Sequence, residues 1–318
     1  MSSDKPTVSI GMPVFNGANY VKEAVESILT QTYSDFELII SDNASTDATG
    51  EICQAYIKQD SRIRYCLNEK KLGAAVNFNR VFKLARGKYF KWAAHDDVIA
   101  PDFLEKCIAV LEQDSSLVLS YPKARIIDEN GKPIQNYDLQ LNTNSPNPSE
   151  RFGDLLRGHQ CFEIFGLIPV SALKSTPLIG NYGHGDGVLL ARLALQGRFH
   201  EIPEYLFFPR RHPEQSMNTF GAHNQVFPDY HSYTVWFDAE QEGHIIYPFW
   251  TILNEYNKSV LQTSLSWNER MNCCWVICKW AFRMRGFLKL DLLIAARQIW
   301  RRFTRNDKKT QIAGRASI

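Results

Sequence analysis

The sequence predicts an α/β fold: a predominantly parallel sheet with helices on both faces, and a helical C-terminal appendage. Three observations carry this. From Thr7 to Asp97, apolar runs of strand length alternate with stretches of helical period as β-α-β-α-β-α-β with short connections, the pattern of right-handed crossovers in a parallel sheet. The runs are apolar throughout rather than alternating, as strands covered on both faces are. They also end in polar residues, Asn16, Asp42, Asn68 and the adjacent Asp96 and Asp97. That puts a polar rim at the carboxyl ends of the strands, where open α/β sheets bind ligands.

The elements follow in order. Thr7–Phe15 is the first strand, closed by the turn signal Asn16-Gly17. Asn19 is expected to cap a helix over Tyr20–Gln31, with Val21, Ala24, Val25 and Ile28 at helical spacing. Phe36–Ser41 is the second strand, and Ser45 or Thr46 is the expected cap of a helix over Asp47–Gln59. Ile63–Leu67 is the third strand, followed by a helix over Ala74–Ala85 that Gly87 ends. The strand beginning at Tyr89 then runs straight into Asp96 and Asp97.

Beyond it the sequence predicts a helix over Asp102–Gln113, a strand from Leu117 extending to Asp128 and a turn at Glu129–Lys132. Gln135–Ser149, rich in Asn, Pro and Ser, reads as a mobile loop over the site or, equally, as a plain solvated connection. Ser149 is the expected cap of a helix to Arg157, Glu163–Val170 a strand, and Arg198–Pro209 a strand pair or hairpin. Further helices are expected over Pro248–Thr263, Asn268–Arg285 and Leu288–Phe303, with disorder from Lys308 to Ile318.

Composition sets outer limits. The chain has 318 residues, 44% of them hydrophobic and 22% charged, enough for a sizeable core. Net charge is +2 but unevenly spread: Arg270–Lys309 holds eleven Lys/Arg against two Asp/Glu, leaving a mildly acidic body with a basic tail. The tail's cations are interleaved with Trp275, Trp280, Phe282, Leu292, Leu293 and Trp300. That mixture fits an amphipathic surface on an anionic membrane, the alternative being a helical cap or homodimer contact. Seven cysteines with no Cys-x-x-Cys spacing read as reduced buried thiols of a cytoplasmic protein. No apolar segment follows Met1–Lys5 and no run of 18 apolar residues exists, so neither a signal segment nor a spanning helix is expected. No nucleic-acid partner is expected.

The chemistry centres on Asp96 and Asp97. Two adjacent carboxylates repel, and a divalent ion with hard oxygen ligands, Mn2+ or Mg2+, relieves that repulsion. A solvated Asp-Asp turn before a helix is the alternative on spacing alone. Neither G-x-G-x-x-G after the first strand nor G-x-x-x-x-G-K-[ST] anywhere is present, so phosphate charge must be met without those glycine cradles. Asp186, among Gly180, Gly183, Gly185 and Gly187, stands at the start of a helix through Leu195. On residues alone it is a carboxylate favoured at a helix N-terminus. Arg210, Arg211 and His212 form an Arg/His cluster after a strand, an anion-site pattern.

The stretches VSIGMPVFNGANYVKEAVESILTQTYSDFELIISDNASTDAT, NEKKLGAAVNFN and ARGKYFKWAAHDD resemble the family-2 glycosyltransferases of GT-A fold, over about residues 7–130 and more loosely to 212. One position departs: many relatives carry D-x-D-D, and here the first place is Ala94. The resemblance implies an inverting transfer of a sugar, of the hexosyl type, from a nucleotide-diphosphate-sugar to a hydroxyl of a glycan or lipid-linked acceptor in surface polysaccharide synthesis. It divides the chain into a GT-A domain over residues 1–220, donor half about 1–130 and acceptor half about 131–220, with a helical, aromatic and basic region over 221–318. It implies donor-nucleotide contacts from Pro13, Phe15, Asn16, Asp42, Asn43, Lys71, Asn77 and Asp96, with Asp42 toward the base and Asp96 near the ribose. Asp97 would hold Mn2+ or Mg2+ with His212 as a further ligand, Arg210 and Arg211 would close on the phosphates, and Asp186 would be the catalytic base. Peripheral attachment at the inner face of the plasma membrane would suit the basic tail. Two rivals are a nucleotidyltransferase of related fold and a non-catalytic nucleotide-sugar-binding protein. The first wants Lys or Arg in the loop after the first strand, and Asn16–Asn19 has neither.

Overall fold

The structure is a computed structural model that describes residues 5–215 and 230–315, with the side chains of 301 and 303–315 excepted. Strand β1 (Val8–Val14) is central, flanked in parallel by β2 (Phe36–Asp42) and β4 (Tyr89–Trp92). β3 (Ile63–Leu67) lies parallel outside β2, and a two-residue strand, Ile168–Pro169, closes the other edge antiparallel to β4. β1, β2 and β4 are buried along their whole length. Alternate residues feed opposite cores: Val8, Ile10, Met12, Leu38 and Ile40 face one, Ile39 and Phe90 the other. The register sets Val14 beside Asp42 and Asp42 beside Leu67, so the polar strand ends share one rim.

Helices α1 (Val21–Leu29), α2 (Thr49–Ile57) and α4 (Phe103–Gln113) cover the first face, and α3 (Ala74–Lys83) the second. Gly11 lets α3 settle onto β1, because a Cβ there would stand 2.6 Å from the Val81 side chain. The helix starts differ from the sequence reading. Asn19 does not cap α1; its amide reaches Glu214 Oε2 at 3.1 Å, while Gly17 O accepts the Tyr20 and Val21 amides. At α2 the carboxylate of Asp47, not Ser45 or Thr46, accepts the Thr49 N–H. Those two residues instead brace the Asn16 turn: Asn16 N–H donates to Ser45 Oγ at 2.9 Å and Thr46 N–H to Asn16 Oδ1 at 2.8 Å.

A second sheet sits beside the first. The strands Val98–Ile99, Arg198–Phe208, Leu117–Ile127 and Pro133–Tyr137 pair in that order, the middle two parallel. Paired hydrogen bonds between Ser120 and Leu167 join the sheets. Three expectations are corrected here. Arg198–Phe208 is one long strand with register shifts and no hairpin. Glu163–Val170 is mostly not strand: Phe162–Phe165 is a turn of 3-10 helix entered through left-handed Cys161, and Gly166 redirects the chain to its pairing with Ser120. The stretch from Gln135 is partly an edge strand, and its remainder is pinned, not poised over the site. Ser145 Oγ donates to Glu150 at 2.7 Å, Phe199 N–H to Thr143 O at 2.9 Å and buried Arg151 to Ser145 O at 2.8 Å.

The second core continues into the helices that follow: α5 (Pro148–Leu155), α6 (Val170–Lys174), α7 (Gly185–Gln196), α8 (Tyr230–Phe237), α9 (Pro248–Gln262), α10 (Trp267–Arg283) and α11 (Arg285–Arg315). Asn147, followed by Pro148, caps α5 in place of Ser149, whose own N–H and O–H donate to it. Phe249, Tyr256, Cys273, Ile277 and Trp280 join Phe152, Leu189 and Leu193 in one cluster. Arg192 crosses it to Ser259 Oγ at 3.1 Å. The C-terminal helices therefore complete the body's core rather than hang from it, and helix runs to Arg315 where disorder is expected from Lys308. Residues 316–318, and 221–229 at the start of the region past 220, lie outside the described residues. Among the described residues, no helix is long and apolar enough to cross a membrane.

Candidate active site

One cavity of about 380 Å³ opens at the rim where β1, β2 and β4 end. Pro13, Phe15, Asn16, Asn43, Lys71, Asn77, Asp96, Asp97, Asp186, Arg211 and His212 all line it, so the structure brings together eleven of the thirteen residues singled out from the sequence. A larger hollow of about 790 Å³ beside His231, Glu242 and Arg302 lacks such a carboxylate pair, and the chemistry lies in the smaller one.

Residues from the first three connections build one wall. Buried Asn77 accepts from Ser41 Oγ at 2.7 Å and from Asn68 Nδ2 at 3.0 Å, and donates to Ser41 O. Asn43 donates to Leu72 O at 2.9 Å and accepts from Leu72 N–H at 2.8 Å, fixing the loop that carries Lys71. The Lys71 ammonium then lies 3.9 Å from the Phe15 ring centroid, a cation-π contact. Gly17 is required by close approach, since a Cβ there would run into the His95 ring.

Asp42 does not line the cavity. It is buried, accepting from Ser45 N–H at 2.8 Å and from Tyr65 O–H at 2.7 Å, and so holds the loop after β2. Arg210 is likewise corrected. Its side chain is buried, reaching Glu23 Oε2 at 2.5 Å, Asp96 O at 2.8 Å and the carbonyls of Asp128 and Glu129, and it packs on the Tyr20 ring. Its backbone N–H, not its guanidinium, serves the site, by donating to Asp97 Oδ1 at 2.9 Å. Of the two arginines it is Arg211 that lines the cavity, held by Gln215 and Gln160.

The carboxylate pair is electrostatically split. Burial, then the charge of Asp96, hold the Asp97 carboxyl well above the ordinary carboxylate range, against the Arg210 N–H, Lys91 and Arg211. For Asp96 burial is outweighed by His95 and by His212, whose Nε2 lies 2.9 Å from Asp96 Oδ2, leaving it below that range. A half-buried carboxyl beside an acidic neighbour and an imidazole is a donor set that fits a hard divalent cation. His212 pairs with Asp96 and packs 4.6 Å from the Tyr20 ring.

The facing wall comes from later in the chain. Asp186 sits in the first turn of α7 and accepts the Gly187 N–H at 2.9 Å. Gln160, Phe162 and Ile164 precede it, and Tyr233, Trp236 and Phe237 reach in from α8. The sequence reading did not assign these three aromatics to the site. They lie in the aromatic run past residue 220, and a site boundary drawn there cuts them off. Thr234 Oγ1 accepts the Gly183 N–H at 3.1 Å, tying α8 to the glycine cluster that presents Asp186.

Comparison with known proteins agrees with this architecture. Residues 9–174 match the family described as Glycosyl transferase family 2. The putative teichuronic acid biosynthesis glycosyltransferase TuaG of Bacillus subtilis is 34% identical over 43% of this chain and 54% of its own length. Among solved structures, Staphylococcus aureus TarS 1–349 in complex with UDP-GlcNAc superposes with a TM-score of 0.63 at 15% identity, covering 88% of this chain and 73% of that one. The mannosyltransferase PcManGT of Pyrobaculum calidifontis in complex with GDP-Man and Mn2+ does so with a TM-score of 0.51 at 15% identity, covering 94% and 88%. The chain spans roughly a fifth to a half of the length of the curated relatives it matches. With more than half of its residues inside the family match and the GT-A fold around them, the chain belongs to glycosyl transferase family 2.

Proposed function

We propose that this chain moves a sugar from a nucleotide-diphosphate-sugar to a hydroxyl of a glycan or lipid-linked acceptor in surface polysaccharide synthesis, inverting the anomeric carbon. The observation that carries the reading is that a single cavity is lined by the Asp96–Asp97 pair and by a separate carboxylate, Asp186. Family membership, the sugar nucleotides named with TarS and PcManGT and the polymer named with TuaG support it.

In this reading Phe15 and Lys71 receive the nucleotide on a loop fixed by Asn43 and Asn77, and Asp42 braces that wall from behind. Asp96 addresses the ribose. Asp97 would hold Mn2+ or Mg2+, with His212 beside it, and the ion supplies positive charge for the departing diphosphate. Arg211 adds charge at the phosphates. Asp186 takes the proton of the acceptor hydroxyl as it attacks.

The test is donor binding and turnover with a panel of nucleotide-sugars in Mn2+, with the product anomer read by NMR. Asp186→Asn should bind donor normally and lose kcat by about 10²–10⁴-fold. A product of retained configuration, or a variant that keeps kcat and loses donor affinity, would remove Asp186 from the base role. Release of pyrophosphate from a nucleoside triphosphate and a sugar phosphate would instead make the chain a nucleotidyltransferase. Binding without turnover would make it a sugar-nucleotide-binding protein.

The membrane reading is carried by α10 and α11. Trp280 and Leu288 are buried, whereas Trp267, Trp275, Phe282, Leu293 and Trp300 are more than half exposed among Arg and Lys side chains, as an interfacial surface requires. Full-length protein should co-sediment with anionic liposomes at low salt and be released by salt. Failure to sediment, with a dimer in solution, would make this face a contact between copies.

A further inference from the structure

The proposed base has two neighbours that this function leaves unused. Cys161 enters the 3-10 turn at Phe162, and His184 directly precedes α7. The Cys161 thiol, a ring nitrogen of His184 and a carboxylate oxygen of Asp186 all lie within 4.8 Å of one another, the one such trio of Cys, His, Asp or Glu among the described residues.

The backbone is bent to put them there. Cys161 has φ +54° and His184 φ +70°, left-handed conformations that cost a non-glycine residue on the order of 1–2 kcal/mol each. Gly187 leaves room for the imidazole, because a Cβ at that position would run into the His184 ring. The sulfur end of the trio is buried, and Asp186 lines the cavity.

We propose that Cys161, His184 and Asp186 form a second metal site, distinct from the Asp97 site, for a borderline cation of the Zn2+ type with its remaining coordination position facing the cavity. Thiolate and imidazole select such an ion over Mg2+ or Mn2+. Bonds of about 2.0–2.3 Å in a tetrahedron put ligand atoms roughly 3.3–3.8 Å apart, so the trio closes by side-chain movements of about 1 Å. One thiolate, one carboxylate and a neutral imidazole balance a divalent charge. The Cys161 thiol gives up its proton to solvent as the sulfur–metal bond forms. A second layer is already in place: Glu163 Oε2 lies 3.1 Å from His159 Nδ1, and His159 Nε2 lies 3.9 Å from the Cys161 sulfur. Such outer partners orient metal ligands.

A consequence rests on the reading of Asp186 as base. A carboxylate bound to this ion cannot take the acceptor proton, so Zn2+ inhibits transfer while Mn2+ at Asp97 supports it.

The test uses metal-stripped full-length protein titrated with Co2+. A near-ultraviolet thiolate-to-cobalt absorption should saturate at one equivalent and be displaced by Zn2+. It should vanish in Cys161→Ser, weaken at least about tenfold in affinity in His184→Ala, and survive in Asp97→Asn. Absence of the band, or a band unchanged in Cys161→Ser or His184→Ala variants that melt like the parent, overturns the site. His184→Ala keeps every thiol, so it decides the matter if Cys161→Ser does not fold. The spectrum does not depend on turnover. A band of the expected behaviour with transfer insensitive to Zn2+ supports the metal site and counts only against the base role of Asp186.

Discussion

The two walls of the cavity are held by different forces. The wall from the first half of the chain is a buried polar network, in which Ser41, Asn43, Asn68 and Asn77 are bonded to one another and to the Leu72 backbone, with Asn68 Oδ1 the one side-chain atom among them left without a partner. The facing wall, with Asp186, Gln160 and the α8 aromatics, is set by packing and by left-handed backbone at Cys161 and His184. A buried network bonded at nearly every group is costly to break, because each lost partner leaves another buried polar group unmatched. A packed aromatic wall yields more gradually. Substitutions on the first wall should therefore register in stability, and those on the second in turnover and affinity. Asp97, between them, should register in both with opposite signs.

Asp97→Asn has the largest expected effect. Metal-dependent donor binding should disappear and transfer fall by about a thousandfold or more, the equivalent of several kcal/mol. In chelator the variant should melt above the wild type, because a half-buried carboxylate beside a second one no longer has to ionise. Calorimetry with Mn2+ and thermal melts in chelator read the two halves. A variant that still binds donor in a metal-dependent way moves the metal off Asp97.

Asn77→Ala comes next and tests the polar wall. It leaves the Ser41 hydroxyl and carbonyl and the Asn68 amide short of a partner, at about 1–3 kcal/mol for each group left buried and unmatched. Urea unfolding should show a loss of about 2–4 kcal/mol, with kcat close to the parent at temperatures where the variant is folded. Trp236→Ala on the other wall should show the reverse: a raised KM for donor or acceptor and a smaller loss of stability. Equal stability losses in the two variants would erase the distinction between the walls.

That distinction also explains what could be read in the sequence. The parallel sheet and the rim positions of Asn16, Asn68, Asp96 and Asp97 follow from short connections between apolar strands, so local pattern placed them, whereas Asn43 and Asn77 came only with the family resemblance. Arg210 could not be placed this way. Its separation from Arg211 depends on Glu23 and on the Asp128 and Glu129 carbonyls, far off in sequence, which draw one guanidinium inward. Tyr233 and Trp236 were missed because a helix's aromatic face looks alike whether it meets a core or a cavity. The left-handed turn at Cys161 carries no glycine signal, so Glu163–Val170 read as strand.

Gly73→Ala probes the seam between the walls. A Cβ on Gly73 would run into the Phe237 carbonyl oxygen and stand 3.0 Å from Asp238 Cα, both backbone atoms with little freedom to give. The expected cost is about 1–3 kcal/mol, typical of overpacking, with α8 displaced and donor affinity reduced. Unchanged melting and KM would mean that α8 sits less firmly on the α3 start than the structure has it.

The smallest effect is a slope rather than a loss, and it comes from Lys91, buried in β4. Its ammonium donates to Phe165 O at 2.6 Å and Trp92 O at 3.0 Å and lies 4.5 Å from the Phe103 ring centroid. Burial lowers it to about 8, with nearby Cys107 and Asp97 opposing. An unfolded lysine titrates near 10.4, so between about pH 8 and that value the unfolded chain binds more protons than the folded one. Stability from this group must therefore rise with pH across the window, by at most about 1.4 kcal/mol per pH unit, and its full penalty is present below it. Other groups run the opposite way in the same range: His159, where Cys161 and then Glu163 outweigh burial, is raised to about 11 and loses its contribution as pH climbs. The wild-type profile alone is thus a sum, and the difference between wild type and Lys91→Met isolates the lysine. That difference, from urea midpoints at constant ionic strength, should move in favour of the wild type from pH 8 to pH 10. A flat difference would mean that Lys91 keeps its proton in the folded protein, held by its two carbonyls against the burial.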